Sequence, residues 1–236
     1  MRKISKDKAV VHKKSAIAKI ETYIDSLINT NANTADKFCY WLEEYATFLN
    51  YEQQFVPQKL KRYKRGEIVK ANLGFNIGSE EGGLHYCVVI DKNNNLSSPV
   101  ITVVPLTSLK GERDANKMRT GEVFIGNDFY LHMEDKRQKT LNRITEITEK
   151  LSYDEENAEK YLAEINDITV QLKNLVQEIA KMKLGSIALV GQITTISKIR
   201  IYNPKNKHDV LANIRLSPCV LDKIDAEIGR CFIGKA

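Results

Sequence analysis

The chain is 236 residues long, 42% apolar and 28% charged, the composition of an ordinary folded protein and not of a disordered or fibrous one. No run of about 18 apolar residues occurs, so no membrane span is expected. The basic start MRKISKDKAVVHKKSAIAKIE lacks the apolar segment and small-residue cleavage site of a secretory signal. The net charge of +6 is unevenly placed: residues 1–65 hold 13 Lys and Arg against 7 Asp and Glu, and residues 66–236 balance at 23 against 23. Much of the excess sits in KLKRYKR, residues 59–65, which suits either a phosphate-binding cluster or a solvated linker. Cys39, Cys87, Cys219 and Cys231 form no C-x-x-C pair, so reduced and mostly buried thiols of a cytoplasmic protein are expected.

In chain order, Ile17, Ile20, Tyr23, Ile24, Leu27 and Ile28 recur at helical spacing until Asn31 to Asn33 break the run. A second helix starts near Thr34 or Ala35, carries Phe38, Trp41, Leu42, Tyr45 and Leu49, and ends before Pro57. The two make a helical hairpin with Trp41 in its core. The period then changes: GEIVKANL, YCVVID, PVITVVPL and GEVFIG are short, rich in β-branched residues and separated by turn residues, which predicts a curled antiparallel sheet of four or more strands.

From about 135 the helical period returns. Leu141, Ile144, Ile147 and Leu151 form a short apolar seam, and Ile165, Ile168, Leu172, Leu175, Ile179 and Met182 form a heptad seam. Ser152 and Glu155 have the spacing of a capping box, which marks a break and a helical hairpin; one unbroken helix of about 70 Å is the alternative. Strand pattern resumes in SIALVGQITTISKI, and Ser217 and Pro218 start a last helix as N-cap and N1. The division expected is an N-terminal helical extension, 1–60, a β domain formed by 61–134 and 184–236, and an inserted helical hairpin, 135–183.

RGEIVKANLGFNIGSEEGG, SSPVITVVPLTS and GSIALVGQITTISKIRI stand in the order of the opening strand and G-S-E-x-G-G loop, the third strand with its Thr, and the Q-I-x-T-I-x-K segment of the MazF/PemK family of toxin endoribonucleases. The chain resembles that family over about 64–130 and 184–232, and the resemblance implies an α+β fold built on an SH3-like curled antiparallel β barrel. It also implies a homodimer in the cytoplasm, a cognate antitoxin, and cofactor-free, metal-independent cleavage of single-stranded RNA. In that chemistry the ribose 2′-hydroxyl attacks the adjacent phosphorus and leaves a 2′,3′-cyclic phosphate. Such a step needs a base, an acid and donors for a phosphorane.

Two departures bear on the site. Thr107 matches the family's catalytic Thr, but His85 stands where the family carries Arg, in GGLHYC. An imidazole cannot reproduce the bidentate guanidinium clamp on a phosphate, yet it exchanges a proton near neutrality. His85 is thus either a catalyst in the place of Arg or the mark of a site that no longer cleaves. Gly191 stands where some members carry an acid, so an assisting carboxylate would come from Glu80 or Glu81. The catalytic pair expected is His85 and Thr107. The RNA contacts expected are Ser79, Glu80, Glu81, Gly82 and Gly83 of the loop, Lys64 and Arg65 before it, Ser108 after the Thr, and Gln192, Thr194 and Lys198 as polar groups on a strand. Gly78, Gly82 and Gly83 suit an anion-binding nest or a plain hairpin turn equally. His12, His132 and His208 show no ligand spacing with His85, so no metal is expected. The alternatives are a non-catalytic RNA- or protein-binding module acting through its helical arms, and a toxin of the same fold directed at a topoisomerase.

Overall fold

The computed structural model describes residues 4–109 and 114–234. The chain falls into two compact units, residues 1–54 and 55–236.

The first unit is the helical run α1, Lys6–Glu52. Asn31 breaks it with non-helical backbone, φ −158° and ψ 83°, and its side-chain oxygen accepts from the Thr34 amide at 3.1 Å. Asn31 therefore caps the second arm, which starts a few residues earlier than the apolar spacing predicts. The rings of Tyr23 and Phe38 meet edge to face at 5.5 Å. Fifteen residues in one straight helix would span about 22 Å, so the arms fold back on each other. Trp41 is half-buried and packs its ring against Tyr45 and Phe48.

The second unit is a curled antiparallel sheet with helices on it. Its strands are β1 Ile68–Asn72, β2 Leu84–Val89, β3 Val100–Ser108, β4 Glu122–Gly126, β5 Ser186–Leu189, β6 Thr194–Ser197 and β7 Ile201–Asn203. The order is β4-β5-β3-β2-β1-β7, with β6 also paired to β3. Along one edge β3 pairs with β6 through residues 100–103 and with β5 through residues 106–108. Pro105, which has no N–H to give a ladder, lies between the two stretches. One long strand thereby serves two partners, and the sheet curls without closing.

The apolar runs of β1 to β3 are continuous because both faces are buried. Ile68, Val88 and Val104 join a cluster with Phe129, Met133, Leu175, Ile179 and Ile224 from the helices. Val69, Cys87, Val89, Ile101 and Val103 point the other way, into a cluster with Tyr63, Ile196 and Ile201. Of the four cysteines only Cys87 is buried; Cys219 is exposed and the other two are intermediate, which corrects the expectation of mostly buried thiols.

Two helices interrupt the sheet. α2, Asp128–Leu151, follows β4 directly, so its first turns supply Phe129 and Met133 to the core. α3, Ala158–Ala180, returns antiparallel, and Arg143 of α2 meets Glu164 of α3 at 2.9 Å. The hairpin forms, but not through a capping box. Ser152 is the C-cap that follows α2, its hydroxyl donates back to the Glu149 carbonyl at 2.6 Å, and a short 3-10 turn, Glu155–Asn157, precedes α3. The heptad seam divides its work: Ile165, Ile168 and Leu172 are half-buried, and Leu175 and Ile179 enter the sheet core.

After β5 the chain does not run on as one strand. 3-10 turns at Val190–Gln192 and Lys198–Arg200 separate β5, β6 and β7, so Gln192 and Lys198 sit in turns and Thr194 on a strand. Helix α4, Pro218–Ile228, starts at Pro218 as predicted, with Ser217 extended before it. Ser217 gives no side-chain cap; its amide donates to Asp128 at 2.9 Å. Among the described residues no helix is long and apolar enough to cross a membrane.

Candidate active site and nucleic-acid interface

The β1–β2 hairpin closes through a long loop held by its own backbone. The Leu73 amide donates to the Gly83 carbonyl at 2.8 Å, and the Gly83 amide to Gly74 at 2.6 Å. Gly83 has φ +82°, and a Cβ on Gly82 would lie 2.7 Å from the Gly74 carbonyl oxygen, so the motif's paired glycines answer two different demands. The Asn76 side chain donates to the Glu81 carbonyl at 2.7 Å. Gln192 clamps the loop from outside: its oxygen accepts the Glu81 amide, and its nitrogen donates to the Ser79 carbonyl at 3.0 Å. Both ends of the Gln192 amide are therefore engaged by the loop.

This clamp places Glu81 against His85. His85 lies on β2 opposite Ala71, and continuing the β2–β3 register two residues past the Cys87–Pro105 pair brings it level with Thr107. Its Nδ1 is 3.3 Å from the Leu106 carbonyl oxygen, which can only accept, so Nδ1 carries the proton. Nε2 faces Glu81 Oε1 at 3.1 Å. The imidazole is thus oriented on one side and paired with a carboxylate on the other, while about a quarter of both side chains stays exposed.

His85, Thr107 and Ser108 line one cleft of about 250 Å³ with Tyr86, Phe129 and Ser186. The Thr107 hydroxyl makes no hydrogen bond within the described residues and is free to donate into the cleft. Lys181 and Lys183, just beyond α3, also line the cleft. α3 is fixed there by Glu178, whose carboxylate takes the Tyr86 hydroxyl at 2.6 Å and pairs with Lys70. Burial works against ionisation of Glu178, but the hydrogen bonds from Lys70 and Tyr86 prevail and hold its carboxyl below the usual range. Burial and the bond to Glu178 push the Tyr86 phenol up, so it acts here as a neutral donor.

The remaining expected residues lie in other places. Ser79, Glu80, Glu81, Gln192 and Thr194 line a second hollow of about 640 Å³, so Glu81 reaches His85 from the side of that hollow and not from the walls of the cleft. Lys64 and Arg65 precede β1, whose first residue, Ile68, is already about 10 Å of strand from Ala71, the partner of His85. Arg65 is engaged by the Ile90 carbonyl and by Asp225 of α4, and Lys64 is exposed. Lys198 is 1% exposed; its Nζ donates to the Asn95 carbonyl at 3.0 Å and lies 5.9 Å from the Tyr63 ring centroid. Burial lowers the pKa of that ammonium. Lys181 and Lys183 were not anticipated: KMK is an ordinary basic triplet in sequence, and only the return of α3 to the sheet sets it beside His85.

The site combines a curled antiparallel sheet, a glycine-rich β1–β2 loop and a cleft lined by His85 and Thr107. Residues 64–141 match the family described as PemK-like, MazF-like toxin of type II toxin-antitoxin system, so this part of the chain is similar to that family. That span includes the loop, His85, Thr107 and the start of α2. No curated protein matches the chain.

Proposed function

We propose that the protein is a toxin endoribonuclease that cleaves single-stranded RNA by attack of the 2′-hydroxyl on the adjacent phosphorus, without a metal ion. The observation that carries this reading is His85 beside the free Thr107 hydroxyl, with Glu81 on the ring's Nε2. A phosphate entering the cleft separates the pair. Glu81 takes the proton of the 2′-hydroxyl, the protonated His85 gives its Nε2 proton to the departing 5′-oxygen, and Thr107 donates to a non-bridging oxygen of the phosphorane. Nδ1 stays on the Leu106 carbonyl throughout, which keeps Nε2 aimed at the leaving group. Ser108 and the Ser79–Gly83 loop border the RNA, Lys64 belongs to a distant contact, and Lys198 is left out of the RNA surface because it is buried. The protein acts in the cytoplasm, where its RNA is, as a homodimer, and a cognate antitoxin covers the cleft.

The test is incubation of purified protein with single-stranded RNA in EDTA. Cleavage that falls by about 10²- to 10⁴-fold in His85→Ala is expected. Absence of cleavage, or equal cleavage by the variant, overturns the reading.

A second reading, a binding module acting through helical arms, is favoured by one observation. Val11, Ile17 and Ile28 of α1 are more than half exposed. It accounts for those residues but not for the Glu81–His85 pair.

A further inference from the structure

The cleft does not end at its lysines. Lys181 also lines a neighbouring groove of about 340 Å³, bounded by α2, α3 and the 203–210 loop. Gln171, Asn174, Glu178 and Lys181 repeat at intervals of three, four and three, which sets them on one strip of the helix about 15 Å long. The acids along this groove are already engaged: Glu178 holds Lys70 and Tyr86, and Asp209 accepts from the Asn206 amide at 3.1 Å and from its side chain at 2.9 Å. Lys136 is likewise occupied, donating to the carbonyls of Val210 at 2.7 Å and Ala212 at 3.0 Å. What stays open are neutral amides. Gln171, Asn174 and Gln177 make no side-chain hydrogen bond within the described residues, and the ring of His208 faces the same groove.

We infer that this groove on the inserted hairpin is a second RNA subsite, which takes the single strand as it leaves the cleft. Lys181, whose exposed side chain lies 3.6 Å from a Glu178 carboxylate already held by Lys70 and Tyr86, turns to a phosphate at the junction, and the side-chain amides of Gln171, Asn174 and Gln177 hydrogen-bond the edges of unstacked bases. Amides both donate and accept, and so match base edges, where a groove meant for an acidic peptide would present uncommitted cations. The shared residue Lys181 makes the path continuous, and this places the RNA on the hairpin and not on the α1 unit. The inference extends the ribonuclease reading to the strand beyond the scissile phosphate.

The test compares two RNAs, a dinucleotide and a single strand several times longer, each in a cleavable and a 2′-O-methyl form. The variants are Gln171→Glu/Asn174→Asp, which keeps side-chain size, and Gln171→Ala/Asn174→Ala, which adds no charge. Both are expected to bind the long 2′-O-methyl RNA about 10-fold more weakly than wild type while cleaving the dinucleotide at the wild-type rate. Unchanged binding of the long RNA overturns the inference, as does an equal loss for both lengths or a loss confined to binding of an acidic peptide. A wild-type protein that binds the long RNA but cleaves neither substrate defeats the ribonuclease reading alone, and the variant comparison still decides the groove.

Discussion

At the scale of single residues, the replacement of an arginine by His85 comes with a partner. Glu81 meets the ring at 3.1 Å and Leu106 fixes its far nitrogen, so the imidazole is held in one orientation with a carboxylate in reach. His85→Gln keeps hydrogen-bonding capacity but cannot transfer a proton. It is expected to bind 2′-O-methyl RNA like wild type and to cleave about 10²-fold or more slowly, as measured by single-turnover kinetics. Thr107→Ala is expected to lose on the order of 100-fold, with Thr107→Ser restoring most of the rate because the hydroxyl is retained. His85 and Thr107 are expected from the family resemblance, and the structure brings both to one cleft. Lys198 was misplaced because a sequence displays charge and not burial: the same ammonium that would hold a phosphate on a surface instead spans the interior to Asn95. Gln192 was legible as polar, but its use as a clamp on the loop depends on a turn that Gly191 and Gly121 make by crossing closely, with the Gly191 amide 2.8 Å from the Gly121 carbonyl.

At the scale of elements, the loop and α3 each position the cleft. In Gly82→Ala the new Cβ must move away from the Gly74 carbonyl oxygen, now 2.7 Å from where it would stand. The loop then shifts and Glu81 leaves His85. Cleavage is expected to fall by about 10²-fold or more, in Gly82→Ala and in Glu81→Ala alike, while global stability changes by no more than about 1–2 kcal/mol in urea melts. Glu178→Gln acts from the other side, weakening the tie of α3 to Lys70 and Tyr86. A loss of about 1–3 kcal/mol is expected. The carboxyl titrates lower in the folded protein than in the unfolded one, so its contribution is full above the ordinary glutamate value of 4.5 and is lost as pH falls through the lower folded value. The gap in stability between wild type and Glu178→Gln should therefore narrow as the melts are taken below about pH 4.5; a constant gap contradicts the charged tie. The elements themselves were largely readable, since strands and helices differ in period. The capping box was not realised, because Ser152 used its hydroxyl to close the preceding helix, and the single segment after Gly185 divided into three strands where short turns bend it around the barrel.

At the scale of the whole molecule, the chain divides into two compact units, a helical hairpin in residues 1–54 and a sheet domain in residues 55–236 with its own two apolar cores. A chain beginning at Phe55 is expected to fold cooperatively and to cleave a dinucleotide at the full rate; an unfolded product would show that the sheet depends on the hairpin. What the sequence could not display is how the insertion is used. Its seam spacing announces two helices, yet only folding brings Lys181 and Lys183 into the cleft that His85 lines. In the proposed reaction Glu81 and His85 move protons about an attacking 2′-hydroxyl. Mass spectrometry of the RNA ends formed in EDTA tests it most directly. A 2′,3′-cyclic phosphate with a 5′-hydroxyl on the following fragment is expected, absent in His85→Ala and in RNA carrying 2′-O-methyl groups; 5′-phosphate ends, or cyclic ends undiminished in His85→Ala, would contradict it.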